Sequence, residues 1–257
     1  MKDSNLPVSK KNKQSNSEKS EKPLRLQVFL AKCAVASRRA SEKFIEDGRV
    51  SVNGTIVKTL GTKVFFNDEV LVDGKRVFPE KRKIYILLNK PSGYVCSLSD
   101  EKNRPVAIDL IKKSYSERLF NVGRLDMFSR GAVIFTNDGK FAAKISHPSS
   151  EIEKEYIVKT NIPIPLDLAE NFKKGIRINN IFYRAKDTFK INPRTMKVIL
   201  IEGKNREIRT VFENSGVPVQ NLKRVRIGNL NLNNLKEGEF RELTYNEVSA
   251  LLQLCKN

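Results

Sequence analysis

The group in this chain best placed to do chemistry is a carboxylate, Asp126, in the turn Gly123-Arg124-Leu125-Asp126. An apolar run from Leu119 to Val122 leads into the turn, and a second, from Ala132 to Phe135, leaves it and stops at Asn137-Asp138-Gly139. Short apolar runs bounded by glycine read as strands, so Asp126 is expected on a loop held between two of them. Rigid elements flanking a loop are where catalytic side chains tend to be placed. Asp in a glycine-containing loop is also a common turn former that bonds its own backbone, so this stretch alone leaves both readings open.

Three other stretches carry polar chemistry. Asn89-Lys90-Pro91-Ser92-Gly93 is a turn that presents one cation, a weak signal by itself. Glu153-Lys154-Glu155-Tyr156, before a strand, is a charged edge with an aromatic. Gly203-Lys204-Asn205-Arg206-Glu207-Ile208-Arg209 opens a helix with several cations. His147, the one histidine, precedes Pro148 and reads as structural rather than as a general base. A single histidine excludes a multi-histidine metal site. Cys33, Cys96 and Cys255 are far apart and show no metal-ligand spacing, so they read as small buried hydrophobes of a reducing compartment.

The elements that must position these groups follow from pattern and composition. The 257 residues suggest two domains. A formal charge of +19 implies a polyanionic partner, since neutralising phosphates releases counterions. No run approaches the ~20 apolar residues of a membrane span, and the N-terminus lacks the apolar core of a secretory signal, so a cytoplasmic, membrane-free protein is expected. Residues 1–23, with six lysines against three acids, read as a disordered basic tail. It would act as a tether to nucleic acid or as a solubilising leader.

Leu26, Phe29, Leu30 and Cys33 form one stripe of an amphipathic helix. Ser37 is placed to cap a second helix, Arg38 to Glu46, with Ala40 and Phe44 inward. Strands are expected at Arg49–Val52 and Thr55–Val57 around an Asn53-Gly54 turn, and at Glu69–Val72. Residues 74–82 read as a linker. Beyond it, from residue 83 to 257, strands are expected at Ile84–Leu88, Leu119–Val122, Ala132–Thr136, Tyr156–Lys159, Phe182–Thr188, Lys197–Ile201 and Arg224–Ile227. Helices are expected at Lys140–Ile145, Leu166–Lys173, Glu207–Ser215 and Tyr245–Leu254. The expected fold class is α+β: a small domain over residues 24–73, then a mixed, mainly antiparallel sheet with flanking helices.

Two resemblances attach to these residues. Ala36-Ser37-Arg38-Arg39-Ala40, Gly48-x-Val50-x-Val52-Asn53-Gly54 and Asp68-x-Val70 resemble the S4-type RNA-binding domain. That resemblance implies that Arg38 and Arg39, with Lys32 and Lys43 nearby, face RNA. Gly123-Arg124-Leu125-Asp126 with Ser129-x-Gly131 and Thr136-Asn137-Asp138-Gly139 resembles the active-site motif of the RNA pseudouridine synthases, in the branch that modifies ribosomal RNA. The family usually has Thr-Ser-Gly where this chain has Ser129-Arg130-Gly131. Lys154-x-Tyr156, the Glu207-Ile208-Arg209 segment, Leu222 to Gly228 and Gly238-x-Phe240-Arg241-x-Leu243 extend the match across nearly everything beyond Pro23.

The resemblance implies an isomerase that converts uridine to pseudouridine in ribosomal RNA, more like the large-subunit enzymes, with no cofactor and no metal. Asp126 would act at the sugar of a flipped-out uridine, Tyr156 would stack on the base, Ile208 would pack beneath it and Arg209 would pair with the aspartate. Arg124 would fill the gap or hold phosphates. Asn89, Lys90 and Lys154 would lie at the RNA-facing rim. The partner would be ribosomal RNA, free or in an assembling particle, and the protein a monomer. A non-catalytic RNA-binding or assembly protein is the chief rival. A nuclease would want paired carboxylates, and no such pair stands out.

Overall fold

The computed structural model describes residues 22–255. All but the last two residues of the segment read as a basic tail therefore lie outside the described residues. The chain divides into two compact units, with the boundary between Pro79 and Glu80.

The first unit runs β1 (Leu24–Arg25), α1 (Leu26–Lys32), α2 (Arg38–Glu46), β2 (Val50–Val52), β3 (Thr55–Ile56), β4 (Lys63–Val64), β5 (Val70–Val72) and β6 (Lys75–Arg76). β3, β2, β5 and β6 form an antiparallel sheet in that order, and β1 pairs with β4. The core is Leu26, Phe29 and Leu30 of α1 against Ile45, Val50, Val64, Val70 and Val72. Ser37 caps α2 by accepting from Ala40 N at 3.1 Å. The inward positions of α2 are Ser41 and Ile45, whereas Ala40 is exposed. The helix thus turns one residue away from the expected register, and Phe44 lies at the edge with Arg49 stacked 4.0 Å over its ring. Asn53 and Gly54 both have positive φ, the twist that a two-residue hairpin needs. Lys75 and Arg76, expected in the linker, form β6, which reaches β5 through a second such turn at Asp73-Gly74.

The second unit contains β7 (Tyr85–Lys90), β8 (Phe120–Val122), β9 (Arg130–Thr136), α3 (Gly139–Ser146), β10 (Lys154–Thr160), α4 (Leu168–Lys174), β11 (Ile176–Ile178), β12 (Ile181–Tyr183), β13 (Asp187–Asn192), β14 (Thr195–Leu200), α5 (Glu207–Asn214), β15 (Val219–Ile227), β16 (Leu230–Asn231), β17 (Phe240–Glu242) and α6 (Tyr245–Gln253). The run expected as one strand, Phe182–Thr188, is broken at residues 184–186, and its two parts belong to different sheets.

A nine-stranded sheet is ordered β13-β14-β10-β15-β9-β7-β17, with β16 on β15 and β8 on β9. The fold is α+β. Its central strands are buried on both faces, which is why β7 and β9 read as continuous apolar runs. Ile86, Leu88, Val133 and Phe135 pack on one face with α4 and α5. Leu87, Ala132 and Ile134 pack on the other with α3 and α6. Thr244 and Glu247 form a reciprocal capping box at the start of α6.

The pairing of β9 positions the site. β7 pairs along β9 from Lys90↔Gly131 to Tyr85↔Thr136, so β8 and β15 must share the opposite edge. β8 takes the positions opposite Ile134, Phe135 and Thr136. β15 runs parallel to β9 at Lys223↔Arg130 and Arg224↔Gly131. Between them, at Ala132 and Val133, the sheet splits.

Candidate active site

The loop over this split is residues 123–129, which join β8 to β9 and carry Asp126. Several bonds fix it. Asp126 O accepts from Ser129 N at 3.0 Å, and Met127 O accepts from Gly93 N at 2.9 Å. Leu125 N donates to the Cys96 thiol sulfur at 3.4 Å. Asn121 Nδ2 reaches Gly123 O at 2.7 Å. The Asp126 carboxylate lines the cleft with its side chain 36% exposed.

The cleft is about 460 Å³. Asp126, Tyr156 of β10, Ile208 of α5, Arg224 of β15, Arg124 and Lys154 are among the residues that line it. Residues far apart in sequence are thereby brought together in the second unit. Tyr156 and Arg224 are register partners on adjacent strands, so their side chains share a face. A register shift between Glu155 and Tyr156 interrupts the ladder there, and such bulges re-aim side chains beside functional sites.

Arg209 approaches Asp126 through Nε and not through its terminal nitrogens. Its Nε lies 4.0 Å from Asp126 Oδ2. Nη1 donates to Val219 O at 3.2 Å and Nη2 approaches Phe128 O at 3.5 Å. The guanidinium therefore braces the Asp126 loop through Phe128 and gives Asp126 a nearby charge rather than a bidentate bond. Burial, and then the neighbouring Arg206, push its pKa down from the usual value, while Asp126 and Glu213 oppose the shift.

Asn89 and Lys90, expected at the RNA-facing rim, are buried. They are 1% and 0% exposed, because β7 lies inside the sheet. Asn89 Nδ2 donates to Leu235 O at 2.7 Å. Lys90 Nζ donates to Pro91 O at 2.9 Å, Tyr94 O at 2.8 Å and Met127 O at 3.1 Å. The turn expected to present a cation instead buries it as a clamp between the Pro91–Tyr94 segment and the Asp126 loop. Burial lowers the Lys90 pKa to about 8.

Lys154 lines the cleft, but its Nζ is engaged by Ile152 O at 3.0 Å and Ile201 O at 2.6 Å. Burial, followed by the charge of Arg224, lowers its pKa to about 8. Glu207 Oε2 accepts from Lys204 N at 2.9 Å at the start of α5, and burial raises its pKa. His147 lies outside this chemistry: its Nδ1 accepts from Ser149 N and caps a short helical turn. In the first unit Arg38, Arg39 and Lys43 are exposed along α2. Lys43 pairs with Asp47 at 2.8 Å.

Two residues of the site received no individual role from the sequence. A Cβ on Gly131 would lie 2.1 Å from Arg224 O, so only glycine lets β9 and β15 meet at the split. Arg224 itself is 4% exposed and donates from Nε to Ala132 O at 2.7 Å, satisfying a carbonyl that the split leaves without a strand partner. Its signal was its parity: Leu222 and Arg224 are two apart on one strand, and Leu222 is core.

Comparison with known proteins fits this geometry. The family model described as RNA pseudouridylate synthase matches residues 84–214, and that of the S4 domain matches residues 24–70. A protein of Borreliella burgdorferi named as an uncharacterized RNA pseudouridine synthase is 41% identical over 232 residues, covering 88% of this chain and 92% of its own length. The ribosomal large subunit pseudouridine synthase B of Bacillus subtilis is 39% identical over 237 residues, covering 90% of this chain and 96% of its own. A crystal structure of a pseudouridylate synthase superposes with a TM-score of 0.65 at 28% identity, covering 89% of this chain and 99% of the other.

Proposed function

This chain belongs to the RNA pseudouridylate synthase family and carries an S4 domain, and from that premise we propose that it converts one uridine of large-subunit ribosomal RNA to pseudouridine, with Asp126 as the group that acts at the sugar. The reaction breaks the bond between ribose C1′ and uracil N1, turns the base and rejoins it through C5. It needs no redox change. The observation that carries the assignment is the Asp126 carboxylate, held on a braced loop in a cleft that also presents Tyr156, Ile208 and Arg224.

Asp126 acts as nucleophile at C1′ or as base at C2′. Arg209 places a positive charge 4.0 Å from the Asp126 carboxylate. The uridine leaves its stack to be reached, and a flipped base needs a face to lie on. Tyr156 supplies that face and Ile208 packs beneath it. Arg124, exposed at the mouth, contacts phosphate beside the flipped nucleotide. Arg38 and Arg39 on α2 of the S4 unit contact the RNA backbone and position it without reading sequence. The relative in Bacillus subtilis is named for the large ribosomal subunit, which supports that substrate and a cytoplasmic site of action.

The test is a pseudouridine map of ribosomal RNA from cells with and without the gene, complemented by wild type or by Asp126→Ala. One site lost, and restored by wild type alone, is expected. If no site changes while Asp126→Ala rescues a growth or assembly defect, the chain works instead as an RNA-binding assembly protein.

A further inference from the structure

Arg224 poses a physical problem that the preceding assignment leaves open. It is 4% exposed and carries a full positive charge, yet among the described residues it forms no ion pair with a carboxylate. Its Nε is committed to Ala132 O at 2.7 Å, and Nη1 approaches the Tyr156 hydroxyl at 3.5 Å. Its Nη2 is buried with no hydrogen-bond partner among the described residues. Burying an unpaired charge is costly, and removing one partner of a buried pair typically destabilises strongly. Lys154 and Lys90 are nearby cations, and the field of Arg224 works against the charge of each. The lining of the cleft thus holds a buried cation with an unpartnered donor, in the same wall as the Asp126 carboxylate.

A site built this way is complementary to an anion on the substrate. Pseudouridine formation generates one. When C1′–N1 breaks, the bonding pair stays on the base, and the charge spreads over N1, O2 and O4. The base then turns, C5 bonds to C1′, the proton on C5 leaves and N1 takes one up. We propose that Arg224 is a catalytic residue that donates from its free Nη2 to a carbonyl oxygen of the departing uracil and stabilises the negative charge that appears there. This rests on the function proposed above. Tyr156, the register partner of Arg224, holds the base over the guanidinium, and Ala132 O fixes the guanidinium's direction. Donors preorganised toward developing charge in a dry site are among the largest contributors to catalysis.

The test compares wild type with Arg224→Gln and Arg224→Lys in single turnover. Two substrates are used: unmodified large-subunit ribosomal RNA, and the same transcript made with 5-fluorouridine throughout. The readout is loss of the N-glycosidic nucleoside at the target position, followed by nuclease digestion and mass analysis. Arg224→Gln is expected to slow the uridine substrate by about 10²- to 10³-fold, the usual effect of removing one such donor. Fluorine at C5 stabilises the departing base by itself, so the loss should shrink on 5-fluorouridine. Arg224→Lys, which keeps the charge but not the fork, should fall between Arg224→Gln and wild type on uridine. In Arg224→Gln the ratio of the 5-fluorouridine rate to the uridine rate should rise about tenfold or more over wild type, the part of the 10²- to 10³-fold loss that fluorine restores. Because that ratio cancels any loss of folded protein, it separates this role from a purely structural one. An unchanged ratio, or an Arg224→Gln protein as fast as wild type on uridine, overturns the proposal while leaving the enzyme assignment intact. A wild-type protein that makes no pseudouridine in any ribosomal RNA overturns that assignment, and this role with it.

Discussion

Arg209 faces Asp126 through Nε alone, 4.0 Å from Oδ2, while its two terminal nitrogens turn to the carbonyls of Val219 and Phe128. One guanidinium thereby does two jobs: it braces the loop and places a charge beside the carboxylate. A lysine has neither the fork nor the reach to do both. Arg209→Lys is therefore expected to lower the single-turnover rate by about tenfold to a hundredfold. Leaving the buried carbonyls unpaired should also cost about 1–3 kcal/mol of stability. Tritium release from C5-labelled RNA and urea denaturation measure the two effects. A variant that kept the rate while losing stability would show that the brace on the Asp126 loop is dispensable to the chemistry.

Asp126→Asn keeps the shape of the loop and removes the nucleophile or base. Pseudouridine formation should fall by about 10³-fold or more, with RNA affinity retained in a filter-binding assay. An active Asp126→Asn protein would remove Asp126 from the chemistry.

Lys90 gives a pH dependence of definite sign. Its pKa is about 8 in the folded protein against an ordinary 10.5, because burial disfavours the ammonium. Between those two values the unfolded chain binds more protons than the folded one, so stability from this group rises as pH increases. The cost of its charge is fully present below about pH 8. Urea denaturation at about pH 7.5 and about pH 10, on either side of the folded value, should show wild type gaining on Lys90→Met at the higher pH. Lys154, also at about 8, changes equally in both proteins and cancels. At neutral pH Lys90→Met should still be the less stable protein by about 1–3 kcal/mol, from the carbonyls it leaves unpaired. A stability gap independent of pH would mean that Lys90 titrates like a solvated lysine.

Arg38 and Arg39 test the first unit. They are exposed on α2 and form no ion pair among the described residues. If they meet phosphates, Arg38→Gln with Arg39→Gln should weaken RNA binding similarly across sequences. The slope of log K against log salt should flatten by roughly 0.7–0.9 for each phosphate no longer neutralised. A double variant with the wild-type slope would place the RNA elsewhere on the surface.

Much of this fold is legible in the sequence because its signals are local. The Asn53-Gly54 turn, the Ser37 cap and the apolar stripe of α1 each act within a few residues, and all form. Asp126 is legible as a loop residue because glycine and two apolar runs bracket it. What cannot be read depends on partners distant in the chain. Lys90 looks like a presented cation because nothing nearby in sequence says that Met127 O lies within 3.1 Å of its amine. Asn89 misleads for the same reason, its carbonyl partner being Leu235. Ala40 falls on a stripe one residue out of phase with the buried one, and a nine-residue helix offers too few turns to separate the two. The role of Arg224 needs the register of β15 against both β9 and β10, which tertiary structure alone provides.

The parallel seam of β9 and β15 has a mechanical consequence. Most of the large sheet is laced over several residues per strand pair, but its two halves join through Lys223↔Arg130 and Arg224↔Gly131. A plate is most compliant where its joint is narrowest. Bending about that short line would spread or narrow the gap above Ala132 while leaving each half unchanged. The close backbone approach at Gly131 would be the pin of that narrow joint.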